Sequence, residues 1–331
     1  MIPFELVDAK SAADAVALLG ASSHAQPIAA GGDLLGLLKE HVSGPTLRSP
    51  AVLVNLATAR DMEGVAHEAG GLRLGAMTTL ARLSAHPDVP PMLAEAVASI
   101  ASPQLRVRTT IGGNLLQRPR CLYFRHPDVT CFKKGGTGCP AVGGPSEAYP
   151  GSLLPGTCHA GHPSDLAPAL IALDAEAELL GPNGSRRLPL VELFDGAGSN
   201  AGQEALIGRA EVLTAILIPK LTCTQAFEKA AARNANEFSW ACGAVAVGLD
   251  QQRVIGARVA LGGISPAPLL WSDPRGLMVG RQLQDVDPDA VVLDILPPSR
   301  MTDRHLERAA ACWAAIRNAI SRIREGSPYS P

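Results

Sequence analysis

Three things are scarce in this sequence: long apolar runs, net charge and aromatic side chains. No apolar run approaches the roughly 20 residues that a membrane-spanning helix needs, so we expect no membrane span. The net charge is −2 at pH 7, so no global positive field predicts nucleic-acid binding. Aromatic residues make up only 4% of the chain, whereas glycine and alanine are plentiful, which suits tight backbone packing and many turns. The 331 residues, 47% of them hydrophobic, are enough for a core and for two or three subdomains.

The first residues also lack the marks of a secretory signal peptide. The segment MIPFE at positions 1–5 has no basic region and no long apolar region. We therefore expect folding in a reducing cytoplasm, where disulfides are rare.

Four of the seven cysteines fall in residues 106–165, a stretch rich in glycine, proline, arginine and lysine that shows no helical or strand period. A long structureless insert inside a domain is usually functional or disordered, and four cysteines favour function. They are Cys121, Cys131, Cys139 and Cys158, with the spacing C-x9-C-x7-C-x18-C. Zinc sites usually contain ligand pairs about two to four residues apart, which are missing here, whereas iron–sulfur spacings vary widely. The spacing alone does not decide between an iron–sulfur cluster, a zinc site and unrelated free thiols.

The remaining cysteines, Cys223, Cys242 and Cys312, lie in apolar or amphipathic settings, and we predict buried free thiols for them. Near the first group, Lys133 and Lys134 are expected to be solvated loop residues, with neutralisation of a cluster's negative charge as the alternative. Three histidines stand in the same stretch and are interpreted as polar loop residues: His126, His159 and His162.

Apolar periodicity predicts a mixed α/β or α+β fold. The first hundred residues alternate strands and helices. A strand predicted over 211–219 is followed by a boundary near 219–222, and the last third reads as a three-stranded meander plus a long helix from 302 to about 324. Residues 27–39 read as a strand, a turn of small residues and a helix. Such a turn lets phosphates approach the backbone, although alone it is most often a plain structural turn.

Several of these segments, in this order, resemble the FAD-binding medium subunit of the molybdenum hydroxylases, the xanthine dehydrogenase and carbon monoxide dehydrogenase group. Residues 27–39 resemble its first flavin loop, 74–79 a second landmark, 110–115 the second flavin loop, 164–169 a third motif and 222–324 the C-terminal flavoprotein domain. The four-cysteine insert resembles the subgroups with a 4Fe–4S cluster in this subunit, and is nearer the periplasmic aldehyde oxidoreductase type than the 4-hydroxybenzoyl-CoA reductase type.

The resemblance implies a PCMH-type FAD-binding domain over 1–220, with subdomains at about 1–55 and 56–220 and the cluster insert at 115–162. A C-terminal domain of three strands plus helices would cover 221–331. Cys121, Cys131, Cys139 and Cys158 would ligate the cluster. The residues that the resemblance assigns to FAD are Pro27, Ile28, Ala29, Ala30, Gly31, Gly32, Asp33, Leu34, Leu35, Thr109, Thr110, Gly112, Gly113, Asn114, Asp165, Ile218 and Lys229.

Within that set, we expect backbone N–H groups of 27–35 and 110–114 to cradle the pyrophosphate, and Asp165 to accept from a sugar hydroxyl or to cap a helix. Lys229 would place a cation near the flavin; the alternative is a solvated lysine on a strand. Ile218 would border the flavin ring; the alternative is an ordinary position in the hydrophobic core. One departure stands out: the family pattern Gly-Gly-Thr before Asp or Asn reads Ala30-Gly31-Gly32 here. Alanine has less backbone freedom than glycine, and Gly32 lacks the hydroxyl.

The resemblance also implies partners: a large molybdopterin subunit, a small subunit with 2Fe–2S clusters and an external electron acceptor. Electrons would pass from the partners' cofactors through FAD to the acceptor. Two alternatives remain: a benzoyl-CoA reductase type subunit with the opposite electron flow, and a zinc-stabilised binding module without flavin. Either a periplasmic location, by co-export with a signal-bearing partner, or a cytoplasmic one is compatible with the sequence.

Overall fold

The computed structural model describes residues 2–142, 151–195, 202–233, 236–301 and 306–326. It begins with a parallel sheet in which β3 lies between the two others, in the order β1-β3-β2. The strands are β1 (Glu5–Asp8), β2 (Ala25–Ile28) and β3 (Val52–Asn55). A crossover helix joins β1 to β2, and Ser11 caps it by accepting from the N–H of Asp14 at 3.1 Å. This sheet and helix lie within residues 1–55, for which a first subdomain is predicted.

The second sheet is antiparallel and has the order β4-β5-β8-β6-β7. Its strands are β4 (Val65–Glu68), β5 (Gly71–Gly75), β6 (Glu176–Gly181), β7 (Gly184–Pro189) and β8 (Val212–Pro219). The central strand, β8, is the apolar run predicted over 211–219, and it is mostly buried because it has a neighbour on each side. The long connection from β5 to β6 carries the cysteine insert.

The third sheet corrects the predicted three-stranded meander, because it has four antiparallel strands in the order β12-β11-β10-β9. They are β9 (Thr224–Ala230), β10 (Ala241–Asp250), β11 (Arg253–Gly262) and β12 (Leu269–Trp271). The fourth strand has three residues, too few for a period of two to be recognised. The predicted boundary near 219–222 falls between β8 and β9.

Helices cover these sheets and join them. They are α1 (Ala12–Ala21), α2 (Leu34–Lys39), α3 (Leu80–Ser84), α4 (Pro91–Ser99), α5 (Pro103–Arg106), α6 (Ile111–Leu115), α7 (Leu122–Arg125), α8 (Leu166–Ala172), α9 (Leu190–Leu193), α10 (Pro288–Ile295) and α11 (Leu306–Glu325). All residues of α8 are buried, because this helix packs on α4 and on the faces of β10 and β11. The other face of the third sheet packs on α10 and α11. In the described part of the chain, no helix is both long and apolar enough to cross a membrane.

The insert at 115–162 contains little regular structure where it is described, as its sequence predicts. Its described residues form α7 and one short 3₁₀ turn, Phe132–Lys134. The end of the insert is fixed to the third sheet, since the N–H of Leu153 donates to Ile264 O at 2.7 Å and that of His162 to Ser265 O at 2.7 Å. This end of the insert is therefore anchored to the C-terminal domain.

Candidate functional site

A cleft of about 1050 Å³ is lined by most of the residues assigned by resemblance. A cleft of this volume is large enough for a dinucleotide-sized ligand. The FAD candidates in its lining are Pro27, Ile28, Ala29, Ala30, Gly31, Gly32, Asp33, Leu34, Thr109, Thr110, Gly112, Gly113, Asn114 and Asp165. Residues 27–34 and 109–114 are more than 70 residues apart in sequence, yet they form one wall, because the end of β2 and the start of α6 lie at the same cleft.

Residues 29–33, here called loop 1, follow β2 and offer backbone donors to the cleft. Gly31 has φ +75°, and a Cβ there would lie 2.7 Å from Leu35 Cδ1, so this position requires glycine. Among the described residues, none accepts a hydrogen bond from the backbone N–H of residues 30–33. Because these residues line the cleft, their N–H groups are the backbone donors left for a ligand's oxygens.

The departure of loop 1 from the family pattern has little structural consequence. Ala30 does not adopt a positive φ, so it does not need the freedom of glycine. A Cβ added at Gly32 would meet nothing within 4 Å, so the missing threonine leaves open space rather than a rearranged loop. What the loop lacks is one hydroxyl.

Residues 109–114, here called loop 2, use their backbone donors differently. The N–H of Ile111 donates to Thr78 O (3.0 Å), that of Gly112 to Ala76 O (2.8 Å) and that of Asn114 to Thr110 O (2.9 Å). The N–H of Gly113 donates to Thr110 Oγ1 at 3.1 Å. The fold therefore already uses the N–H groups of residues 111–114, and the expectation that residues 110–114 cradle a phosphate stays a prediction.

Loop 2 still contributes shape and one hydroxyl. A Cβ at Gly112 would lie 3.2 Å from Ala76 O, and one at Gly113 would lie 2.9 Å from Thr110 Oγ1 and 4.0 Å from Ala29 Cβ. The two loops are thus neighbours. Thr110 accepts from Gly113, so its own hydroxyl proton can be donated to a ligand, whereas the Thr109 hydroxyl donates to Leu105 O at 3.0 Å.

Asp165 is buried and its carboxylate is paired with Lys229. Lys229 Nζ lies 2.8 Å from Asp165 Oδ2 and also donates to Ser99 O (2.9 Å) and Glu237 O (2.7 Å). The Ser239 hydroxyl donates to the other carboxylate oxygen. The expectation that Asp165 caps α8 is wrong: Ser164 Oγ accepts from the Ala167 N–H at 3.2 Å instead. Lys229 is likewise not a solvated lysine.

Three assigned residues do not line the cleft: Leu35, Ile218 and Lys229. Leu35 packs beneath Gly31, and Lys229 lies one residue behind the wall, in contact with Asp165. Ile218 is buried in β8, paired with Leu72, which is the ordinary core position.

Several cleft residues were not identified from the sequence, among them Arg108, Arg118, Arg120, Arg209 and Phe238. The guanidinium of Arg120 lies 4.7 Å from the centre of the Phe238 ring. The run of arginines between residues 106 and 120 was the only available signal for three of these residues.

The four insert cysteines line one small cavity, together with His159 and Lys133. Burial raises the pKa of Cys121 and of Cys158, and nearby thiols contribute to both shifts: Cys131 and Cys139 for Cys121, and Cys139 and Cys121 for Cys158. All seven cysteines are free thiols. Cys242 and Cys312 are fully buried as predicted, whereas Cys223 is only partly buried, which corrects the prediction for that residue. Among the described residues, no three His, Cys, Asp or Glu side chains are close enough to hold one metal ion.

The charged neighbours of this cavity are buried, which corrects the expectation of solvated loop residues. Lys134 is fully buried and donates to His126 O at 2.6 Å, while Lys133 lies 3.4 Å from Glu204 Oε1. His162 is also buried, edge-on to Phe194 with 4.6 Å between ring centres. Burial, with a smaller effect of Lys133, lowers the His162 pKa to about 3, so this histidine is neutral.

The sequence profile of the family described as "FAD binding domain in molybdopterin dehydrogenase" matches residues 2–221. The chain belongs to this family. It is 34% identical over 247 residues to the aldehyde oxidoreductase FAD-binding subunit PaoB of Escherichia coli (strain K12), covering 73% of this chain and 75% of that one. It is 29% identical to the carbon monoxide dehydrogenase medium chain of Hydrogenophaga pseudoflava, covering 85% and 82% of the two chains.

Solved structures extend the likeness over the whole chain. The structure of Cu,Mo-CO dehydrogenase aligns with a TM-score of 0.73 and 25% identity, covering 98% of this chain and 99% of that one. Quinoline 2-oxidoreductase from Pseudomonas putida 86 aligns with a TM-score of 0.75 at 20% identity, which shows the shared fold. The chain is therefore an oxidoreductase subunit of the molybdenum hydroxylase family, with the mixed α/β fold of a medium chain.

Proposed function

We propose that this chain is the FAD- and 4Fe–4S-binding electron-transfer subunit of a three-subunit molybdenum aldehyde oxidoreductase. A large molybdopterin subunit and a small 2Fe–2S subunit would be its partners. The relative named an aldehyde oxidoreductase subunit, at 34% identity, supports the aldehyde over the carbon monoxide type. The single observation that carries the proposal is the cleft in which the backbone N–H groups of loop 1, beside loop 2, have no acceptor among the described residues.

The residues of the cleft fit FAD. The N–H groups of residues 30–33 would donate to the pyrophosphate, and the Thr110 hydroxyl would add one side-chain donor. Gly112 and Gly113 have no side chains to obstruct a close approach. Asp165 is held by Lys229 with little exposure, so it would present an oriented acceptor to a ligand hydroxyl.

Lys229 holds the Asp165 carboxylate in place through a 2.8 Å ion pair and brings its ammonium group close to the cleft. A cation there favours a ligand that gains negative charge when it accepts electrons. FAD, when bound, supplies the step between the partners' one-electron clusters and an external acceptor. The chain's own residues supply binding, orientation and this local charge.

The insert fits an iron–sulfur cluster better than it fits zinc. One zinc ion brings all its ligands to about 2.3 Å from a single point, and the described residues contain no group that tight. In a 4Fe–4S cube each thiolate binds a different iron, so four thiols around one cavity are the appropriate donor set. Buried Lys133 and Lys134 would offset the negative charge of four thiolates.

The test is a visible absorption spectrum of the purified chain, with iron, acid-labile sulfide and FAD assayed on the same sample. We expect flavin bands on a broad cluster shoulder and about four iron atoms per FAD. Flavin with neither iron nor sulfide would contradict the cluster and leave the flavin assignment. A colourless protein that contains zinc would contradict both.

A further inference from the structure

Loop 1 is tied to the cysteine insert through one carboxylate, that of Asp33. Asp33 Oδ2 accepts from the backbone N–H of Arg118 at 2.8 Å. Asp33 Oδ1 lies 2.5 Å from Nη2 of Arg125 and 3.0 Å from Nη1 of Arg120. Asp33 is the last residue before α2 and therefore fixes the exit of loop 1. Its carboxylate is only 18% exposed, so these charge-assisted contacts are partly shielded from water.

Packing joins the same two segments independently of charge. Leu37 of α2 and Val42 form a small apolar core with Phe124 and Cys131 of the insert. Further along, the N–H of Thr46 donates to Lys134 O at 3.1 Å. The support of loop 1 and α2 on this side therefore comes from the insert.

The residues that hold Asp33 surround one of the four cysteines. Arg120 directly precedes Cys121, and the N–H of Arg125 donates to Cys121 O at 3.0 Å, closing the single turn of α7. Arg125 is itself oriented by Pro119 O, which accepts from its Nε at 2.9 Å. Fixing Cys121 therefore fixes the two guanidinium groups that contact Asp33.

We propose that the cysteine insert positions loop 1 for FAD and that Asp33 is the positioning residue of this link. The inference rests on the proposed function, since it needs FAD in the cleft and a cluster on the cysteines. Ordering a segment without regular structure costs conformational entropy. Cluster binding offsets that cost for the insert, and loop 1 is then held in place before FAD arrives. The coupling is reciprocal, so bound FAD retains the cluster to the same extent.

The first test is a double-mutant cycle on FAD affinity with the full chain. FAD is removed and titrated back, with flavin fluorescence as readout, for wild type, Asp33→Asn, Arg125→Gln and the double variant. Asn occurs at this position in the family pattern, so Asp33→Asn keeps a loop compatible with flavin while weakening the link. We expect each single variant to bind FAD roughly tenfold more weakly, and the double variant to be no weaker than the singles.

The matched control is an Asp–Arg pair outside the cleft. Asp289 accepts from the Arg317 guanidinium on the surface of the C-terminal domain. Asp289→Asn and Arg317→Gln are expected to leave FAD affinity unchanged. Thermal unfolding of every variant establishes that it is folded.

Additive losses in the Asp33–Arg125 cycle would overturn the link, because additivity is the result of a direct contact between Asp33 and FAD. Unchanged affinity in both single variants would overturn it as well.

The second test removes the cluster with an iron chelator under reducing conditions. Removing the cluster is expected to weaken FAD binding roughly tenfold in wild type and clearly less in Asp33→Asn. In the reverse direction, bound FAD is expected to slow the release of iron from wild type. Equal FAD affinity with and without iron would overturn the coupling. A chain that binds FAD but never contains iron would contradict the proposed cluster, while the mutant cycle would still decide the link. A chain that binds no FAD would contradict both.

Discussion

Loop 1 and loop 2 look alike in sequence, since each contains two consecutive glycines near the start of a short helix, but the fold uses them in opposite ways. Loop 2 directs the N–H groups of 111–114 into the protein and fixes its glycines against Ala76 and Thr110. Loop 1 leaves the N–H groups of 30–33 without acceptors among the described residues and has open space at Gly32. The comparison separates a loop that builds the wall from a loop that meets the ligand. Changes in loop 1 should therefore alter FAD affinity, and changes in loop 2 should first alter stability, with Thr110 as the loop 2 residue that also offers a side-chain donor to the ligand.

The largest effect is expected for Gly31→Val in loop 1. Gly31 has φ +75°, and the new Cβ would lie 2.7 Å from Leu35 Cδ1. A left-handed backbone costs a residue with a Cβ about 1–2 kcal/mol, and a branched side chain adds to this cost. FAD affinity is expected to fall at least about tenfold, measured by titration of the FAD-free chain. Gly36→Ala, where a Cβ would meet nothing within 4 Å, is the control and should bind normally. Equal affinities would contradict the role of loop 1.

Thr110→Val should act on stability. The Thr110 hydroxyl caps α6, and losing such a cap costs about 1 kcal/mol. The thermal midpoint of the FAD-free chain is expected to fall by roughly 2 °C, measured by calorimetry, while Thr110→Ser retains it. An unchanged midpoint for the valine variant would show that loop 2 is not the scaffold described.

Gly32→Thr should strengthen FAD binding. The position is open and outside the left-handed region, so the side chain fits without strain. One added hydrogen bond contributes about 1 kcal/mol, hence a gain in affinity of about fivefold. Gly32→Ala supplies the Cβ without the hydroxyl and is expected to equal wild type. A gain shared by both variants would be a backbone effect and would contradict the hydroxyl argument.

The smallest effect concerns Glu211, a cleft residue that belongs to neither loop. Its hydrogen bonds from Arg186 lower the Glu211 pKa below 4.5. This carboxylate therefore contributes stability above the unfolded pKa of about 4.5, and the contribution is lost as the pH falls through the lower folded pKa. Glu211→Gln is expected to flatten the acid side of the stability curve, measured by urea unfolding from pH 3 to 7. A steeper acid side in the variant would contradict this sign.

Much of the fold was predictable because it depends on local pattern. The apolar run of β8, the Ser11 cap of α1 and the glycine turns are all visible in the sequence. The fourth strand, β12, was missed because three residues carry no period. The burial of Lys133, Lys134 and His162 was missed because a polar segment reads as solvated unless its contacts are known.

The sequence indicated which segments meet at the cleft but not the contacts that their residues make, and the assignment of these residues to FAD stays a prediction. The two glycine loops and Asp165 come together as the resemblance implies. That loop 2 uses its own N–H groups depends on its approach to residues 76–78, some 35 residues earlier, and no local pattern encodes such an approach. The same holds for Asp33, whose partners lie 85 to 92 residues away. For Asp165, the structure replaces the capping role with a pairing to Lys229.

The most direct test of the central claim is the iron and FAD content of Cys139→Ser beside Cys223→Ser. Cys139 lines the small cavity with the three other insert cysteines, whereas Cys223 lies outside the insert. The account predicts about four iron atoms per FAD in wild type and Cys223→Ser, and a loss of most of the iron in Cys139→Ser. Equal iron content in both variants, or none in wild type that carries FAD, would contradict a 4Fe–4S cluster on these four cysteines.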